Sequence, residues 1–267
     1  MNSKLRLDEL LVERGYFPSR SKAVEAIKSG KVLVKGETVR KPGKRIAKDT
    51  ELELTESKFI VSRAYYKLEK ALEVFKVPIE NARVCDLGAS TGGFTQLLLE
   101  RGAKVVFAVD VGTAQLHPSL KSDMRVVSLE NTDARSITKK TLDGEVDLVT
   151  VDLSFISITK VIDSIADILR PGGHCVSLIK PQFESGPGVS KKGVVHDMVV
   201  HEGVLANVIK AFQKTGFSIK GLTFSPVKGK SGNIEYIIHA VKGDTKMAKL
   251  DIEGLVKEAF KILSPKR

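Results

Sequence analysis

Apolar positions change their spacing twice along the chain. Leu7, Leu10 and Leu11 recur at helical intervals, which predicts a helix over 6–15 with Gly15 as its stop. Beyond Pro18, Ser19 is placed to cap a second helix over 20–29, with Ala23, Val24, Ala26 and Ile27 on one side and Gly30 as terminator. Val32-Leu33-Val34 and Glu37-Thr38-Val39 flank Gly36 as a short hairpin. Polar Thr55-Glu56-Ser57-Lys58 then gives way to apolar Phe59-Ile60-Val61. This change of character marks a linker over 59–62, between a small unit over 1–58 and a larger one over 63–267.

From Arg63 onward, helical stretches alternate with short runs of Val, Ile and Leu. Strands are predicted over 83–87, 104–110, 125–129, 146–152, 174–180, 217–224 and 234–241, and helices over 64–76, 92–101, 157–169 and 197–215. Strands that read as continuous apolar runs are buried on both faces, so the pattern calls for a mostly parallel, doubly wound α/β sheet of the Rossmann-like kind. The short connection through Ser231-Gly232-Asn233 predicts a reversed last strand. An amphipathic helix over 248–262 offers Leu250, Leu255 and Phe260, with Leu263 just beyond, for packing.

Charge adds a partner class. The chain has 267 residues and a net charge of +11, and its first sixty residues hold 14 Lys and Arg against 9 Asp and Glu, the denser cationic region. Cations so clustered, at Arg20/Lys22, Arg40/Lys41 and Lys44/Arg45, can neutralise phosphates and release counterions or simply solubilise the surface, and charge alone leaves both readings open; with RNA as the partner, Arg6, Arg20, Lys22, Lys35, Arg40 and Lys41 are the candidate contacts. Cys85 and Cys175 both lie in apolar runs, far from another Cys or a paired His, so reduced buried thiols are expected and neither a disulfide framework nor a metal site is. No stretch of about 18 apolar residues reads as a membrane span, and acids stand where a leader peptide needs its apolar stretch. A cytoplasmic protein without membrane partners is the expectation.

The sharpest motif is Asp86-Leu87-Gly88-Ala89-Ser90-Thr91-Gly92-Gly93-Phe94, a predicted strand running through a glycine-rich turn into a helix. Glycines at 88, 92 and 93 miss the Gly-x-Gly-x-x-Gly spacing of a dinucleotide site, and no Gly-Lys-Ser/Thr follows to make a P-loop. The motif resembles the first motif of Rossmann-like methyltransferases that use S-adenosylmethionine. That cofactor carries an ammonium and a sulfonium, for which Asp86 is a sensible partner. Asp110, after the second strand, is expected on the ribose hydroxyls, and Asp133, after the third, is implied by the resemblance to meet the adenine amine. Gly88, Ala89, Ser90, Gly92, Gly93 and Phe94 complete the expected cofactor set.

Four charged residues stand at ends of elements where a plain core would not put them. Lys180 ends one strand, Asp152 ends another, Glu235 opens the last strand and Lys67 lies near the start of the first helix after the linker. The order Lys67, Asp152, Lys180, Glu235 resembles the tetrad of FtsJ-type ribose 2′-O-methyltransferases. The front segment, through Arg6-Leu7-Asp8, Ser19-Arg20-Ser21-Lys22-Ala23, Ile27, Gly30 and Val32–Gly36, resembles an S4 RNA-binding domain. Together they give nearly the whole chain the look of the TlyA, or hemolysin A, family, although Ala64-Tyr65-Tyr66-Lys67-Leu68 replaces a frequent Gly-x-His-Lys-Leu and the linker has no Trp.

The resemblance implies methylation of a cytidine ribose 2′-oxygen in ribosomal RNA, free or within a subunit; no DNA partner is expected. Lys180 is expected to take the hydroxyl proton, with Asp152 orienting it and Glu235 positioning Lys67 or the ribose; which lysine is neutral stays open at this point. A base methyltransferase is disfavoured because Asp152-Leu153-Ser154-Phe155 lacks the two prolines of an amine-gripping motif and Cys175 lacks a nucleophile's setting. A membrane-active hemolysin lacks an apolar span, and an inactive RNA-binding module would not need the tetrad.

Overall fold

The computed structural model describes residues 4–17, 19–55, 60–186, 188–189 and 193–264, and divides the chain into two compact units, Met1–Ile60 and Val61–Arg267. Pro18 and the expected linker residue Phe59 lie outside the described residues.

The first unit runs β1 (Lys4–Arg6), α1 (Leu7–Glu13), α2 (Arg20–Lys28), β2 (Val32–Val34), β3 (Glu37–Thr38), β4 (Arg45–Ala47) and β5 (Leu52–Leu54). Ser19 caps α2 by accepting the amide of Lys22 at 3.4 Å. Leu7, Leu10, Leu11, Ala23 and Ile27 bury the facing sides of the two helices against Val32, Ile46 and Leu52. The hairpin of β2 and β3 forms as the spacing predicts, and β5 adds to its other side. β1 pairs with β4 in antiparallel register, Lys4 opposite Ala47.

The second unit runs α3 (Ala64–Phe75), β6 (Arg83–Leu87), α4 (Gly93–Glu100), β7 (Val105–Val109), α5 (Pro118–Lys121), β8 (Val126–Leu129), β9 (Val146–Val151), α6 (Ile162–Ile168), β10 (Leu169–Ile179), α7 (Pro181–Glu184), α8 (Met198–Lys214), β11 (Phe217–Phe224), β12 (Tyr236–Lys242) and α9 (Ile252–Leu263). Its strands form one seven-stranded sheet in the order β11-β12-β10-β9-β6-β7-β8. β6 to β10 are parallel, and β12 lies antiparallel between β10 and β11, the reversed last strand that its short connection predicts.

Two predicted elements are adjusted. The helix expected over 157–169 is a 3₁₀ turn over Ile158–Lys160 followed by α6, and β10 starts at Leu169 rather than at 174. Arg170-Pro171-Gly172-Gly173 carries a register shift between Leu169 and His174, so this strand begins as an irregular segment without the apolar run that identifies the rest. Cys85 and Cys175 are buried free thiols in the core. α9 docks on that core through fully buried Val256 and Ala259, with Leu250, Leu255, Phe260 and Leu263 half-buried around them.

The sheet reverses its winding between β6 and β9. Their carboxyl ends therefore open a crevice of the kind in which doubly wound sheets bind ligands. Gly88, in the left-handed region at φ +84°, lets the turn after β6 lie against the end of β9: a Cβ there would stand 2.8 Å from the backbone oxygen of Asp152 and 3.0 Å from its carbonyl carbon. Both obstacles are main chain, so neither can swing aside. Gly88→Ala is expected to lower stability by about 1–3 kcal/mol, read as a shift in denaturant midpoint; an unchanged midpoint would show that the turn tolerates a wider separation.

Candidate active site

The glycine turn and the ends of β7 and β9 enclose a pocket of about 250 Å³ whose wall includes Gly88, Ser90, Asp110, Gln115 and Ser154. Asp110 holds it together: one carboxylate oxygen accepts the Ser90 amide and the other the Gly112 amide, each at 2.8 Å. The same carboxylate faces the pocket and keeps lone pairs for a ligand.

The other two expected cofactor acids stand elsewhere. Asp86 is fully buried inside β6, and its two oxygens accept the hydroxyls of Thr95, at 2.7 Å, and Thr150, at 2.9 Å. Because β6 continues to Leu87, the carboxylate lies within the strand rather than at its mouth, tying β6 to α4 and β9. Asp133 caps the 3₁₀ turn Ala134–Ser136 and pairs with Arg135 at 2.5 Å, while its neighbours Thr132 and Ala134 reach the pocket. Gly88, Ala89, Ser90 and Phe94 line an adjoining cleft of about 590 Å³. Gly92 and Gly93 instead sit at the start of α4, packed under Leu120 and Tyr65 respectively.

The four charged residues converge in that larger cleft. The Lys67 ammonium donates to Glu235 Oε2 at 2.7 Å and stands 3.6 Å from Asp152 Oδ2. The Lys180 ammonium lies 2.5 Å from Asp152 Oδ1 and donates to Ser154 Oγ at 3.1 Å. The close Lys180–Asp152 contact is an ion pair without hydrogen-bond alignment, so Asp152 Oδ1 is buried with a charge neighbour but no aligned donor among the described residues. Lys67, Lys180 and Glu235 are all buried. Burial works to lower the Lys67 pKa, but the Asp152 and Glu235 carboxylates outweigh it and hold the ammonium above the ordinary lysine range. Lys67 is a fixed cation at neutral pH.

Sequence reasoning missed four participants. Ser154 accepts from Lys180. Phe155 is 92% exposed with φ +64°, a conformation rare for a bulky side chain, and borders both cavities. Phe183 stands 5.3 Å from it, centroid to centroid. Glu184, from the same Lys-Pro-Gln-Phe-Glu motif as Lys180, accepts the Ser157 hydroxyl at 2.5 Å and the Ile158 amide at 2.8 Å, which anchors the segment carrying Ser154 and Phe155. The available signal was the aromatic Phe155 three residues after the strand-ending Asp152.

In the first unit, the RNA candidates separate. Arg6 and Arg20 turn onto the buried Asp8, at 2.9 and 3.1 Å, and Arg20 also reaches Glu9 at 3.2 Å. Lys22 pairs with Glu25 at 3.4 Å, and Arg40 donates to the carbonyl of Lys28 at 3.1 Å. Lys35 and Lys41 are exposed and have no side-chain partner among the described residues.

A nucleoside-sized pocket beside two ion-paired lysines, on a sheet whose seventh strand runs backwards, defines a Rossmann-like methyltransferase. The chain belongs to the FtsJ-like methyltransferase family, whose model matches residues 60–242, and an S4 domain model matches residues 5–52. Hemolysin A of Brachyspira hyodysenteriae is 44% identical over 239 residues, covering 89% of this chain and 100% of the relative. The 16S/23S rRNA (cytidine-2′-O)-methyltransferase TlyA of Mycobacterium tuberculosis is 43% identical over 241 residues, covering 89% of this chain and 90% of the relative. A solved structure from Streptococcus thermophilus, carried under a hemolysin name, superposes with a TM-score of 0.75 at 41% identity over 98% of each chain.

Asp86 offers a test of the buried network. Burial lifts its carboxyl to about 6, against the pull of the Thr95 and Thr150 hydroxyls. The folded protein therefore keeps a proton that the unfolded chain, with a carboxyl near about 4, has released, and this group's contribution to stability falls as pH rises from about 4 to 6. Asp86→Asn removes that dependence. The stability difference between variant and parent should move in the variant's favour by on the order of 2–3 kcal/mol across this window; a difference that stays constant with pH would contradict the assignment.

Proposed function

We propose that this protein transfers a methyl group from S-adenosylmethionine to a ribose 2′-oxygen, with cytidine of ribosomal RNA as the acceptor. The convergence of Lys67, Asp152, Lys180 and Glu235 beside the glycine-turn pocket carries this reading. The family match supports it, and so does the rRNA (cytidine-2′-O)-methyltransferase name of the mycobacterial relative.

The pocket suits the cofactor. Asp110 faces it with lone pairs to spare for ribose hydroxyls, and Gly88 keeps its floor free of a side chain. When bound, S-adenosylmethionine supplies an electrophilic methyl on a positively charged sulfur. Asp86 contributes from beneath by fixing the turn, not by touching the ligand.

A ribose hydroxyl is a weak nucleophile at neutral pH and needs a group to accept its proton as the new bond forms. Lys67 is tied to two carboxylates and stays charged, which leaves Lys180 Nζ, tied to one, as the proton acceptor: it acts in its neutral amine form, whose lone pair takes the hydroxyl proton and leaves an ammonium balanced by Asp152. Asp152 orients Lys180 through one oxygen and shares its other with Lys67, while Glu235 keeps Lys67 in place. Ser154 fixes the direction of Lys180 Nζ. Phe155 and Phe183 present an aromatic surface at the mouth on which a base can stack, holding the ribose near Lys180.

The S4 match supports RNA as the partner of the first unit, with Lys35 and Lys41 among its available cations. Among the described residues, no helix is long and apolar enough to cross a membrane.

Lys180→Met should retain cofactor affinity and lose methyl transfer by at least about 100-fold in single turnover; transfer at the parental rate would remove Lys180 from the chemistry. Phe155→Ala should raise KM for RNA by roughly 5- to 100-fold, the cost of one lost stacking contact, and leave the saturated rate close to the parent's. An unchanged KM would show that the base is held elsewhere.

A further inference from the structure

The interior of the cleft balances its own charge: two lysines face two carboxylates in contact. Its rim does not. Arg63, Lys228 and Lys230 also line the cleft, and none has a carboxylate or other side-chain partner among the described residues. Arg63 and Lys230 are exposed and Lys228 is half-buried.

These cations are tethered to the tetrad by the backbone. Arg63 caps α3 one helical turn before Lys67, whose ammonium holds Glu235. Lys228 and Lys230 flank Gly229, where a Cβ would stand 3.0 Å from the carboxyl carbon of Glu235. The absence of a side chain at 229 lets the loop lie directly over that carboxylate. The loop is closed by two hydrogen bonds of 2.9 Å, from the Gly229 amide to the Asn233 carbonyl and from the Gly232 amide to the Gly229 carbonyl. Both lysines are therefore carried on a defined turn next to the reacting centre. A cationic rim around an internally neutral site is arranged for a ligand that brings its negative charge outside the reacting group, as a nucleotide does within a chain.

We propose that Arg63 on one element and Lys228 with Lys230 on the other grip the backbone phosphates that flank the acceptor nucleotide, so that a single RNA strand is held across the cleft with its ribose over Lys180. The inference rests on the reading of the site as an RNA ribose methyltransferase. These residues are positioning residues: they act through the phosphates and touch no reacting atom.

The test compares the full-length protein with Lys228→Ala/Lys230→Ala, with Arg63→Ala, and with Lys228→Arg/Lys230→Arg. Cofactor affinity, KM and saturated rate are measured on ribosomal RNA lacking the modification, and RNA affinity is measured against salt. The alanine variants should bind cofactor as the parent does, raise KM severalfold and keep the saturated rate. The double alanine variant should flatten the slope of log affinity against log salt by about 1.4, two single-strand phosphate contacts, and the double arginine variant should restore it. Unchanged KM and slope in variants of an active parent overturn the proposal and leave the ribose chemistry standing. A loss of cofactor affinity overturns it by assigning the cations to the cofactor's carboxylate. An inactive parent overturns the underlying reading as well.

Discussion

Asp152 is the group that both buried lysines have in common, and the architecture of the site follows from that sharing. Two ammoniums cannot stay buried side by side without anions, because desolvation costs several kcal/mol for each unpaired ion. Glu235 serves Lys67 alone, whereas Asp152 divides its two oxygens between Lys67 and Lys180. The lysines are thereby made unequal. One is a permanent cation held by two carboxylates, and the other is held by one carboxylate and a serine hydroxyl in the same cleft.

That inequality depends on elements far apart in the chain. α3 brings Lys67, β9 ends at Asp152, β10 ends at Lys180 and β12 follows Glu235. The parallel run from β6 to β10 gathers Asp152 and Lys180 at one edge, and the reversed β12 presents its beginning, rather than its end, at that same edge. Had β12 run parallel, Glu235 would open at the far side of the sheet. The Gly88 turn rests on the Asp152 carbonyl, so the pocket proposed for the cofactor and the ion-paired lysines share one piece of backbone.

The parts of this arrangement that were legible in the sequence are those with a physical signature in the residue pattern. Strands buried on both faces leave continuous apolar runs, and a lysine or aspartate ending such a run stands out; hence the sheet and the tetrad. The three-residue strands β1, β4 and β5 leave none, because each pairs with a segment remote in the chain. Asp86 looks like a strand-end ligand in the sequence, yet the strand continues by one residue and the threonines that satisfy its carboxylate, at 95 and 150, have no local pattern. Arg6 and Arg20 look like available cations in the sequence because Asp8, buried between them, resembles an ordinary helix-start acid until the fold closes. Phe155 escaped because its significance lies in a left-handed backbone and in exposure, neither of which a hydropathy pattern encodes.

The central claim is the identity of the atom that receives the methyl group. Labelled methyl is transferred by the protein into ribosomal RNA and subunits prepared without the modification, and the product is hydrolysed with alkali. A methylated 2′-oxygen cannot attack its own phosphate, so the account predicts label in alkali-resistant dinucleotides that contain cytidine. Label released in mononucleotides would place the methyl on a base and contradict it.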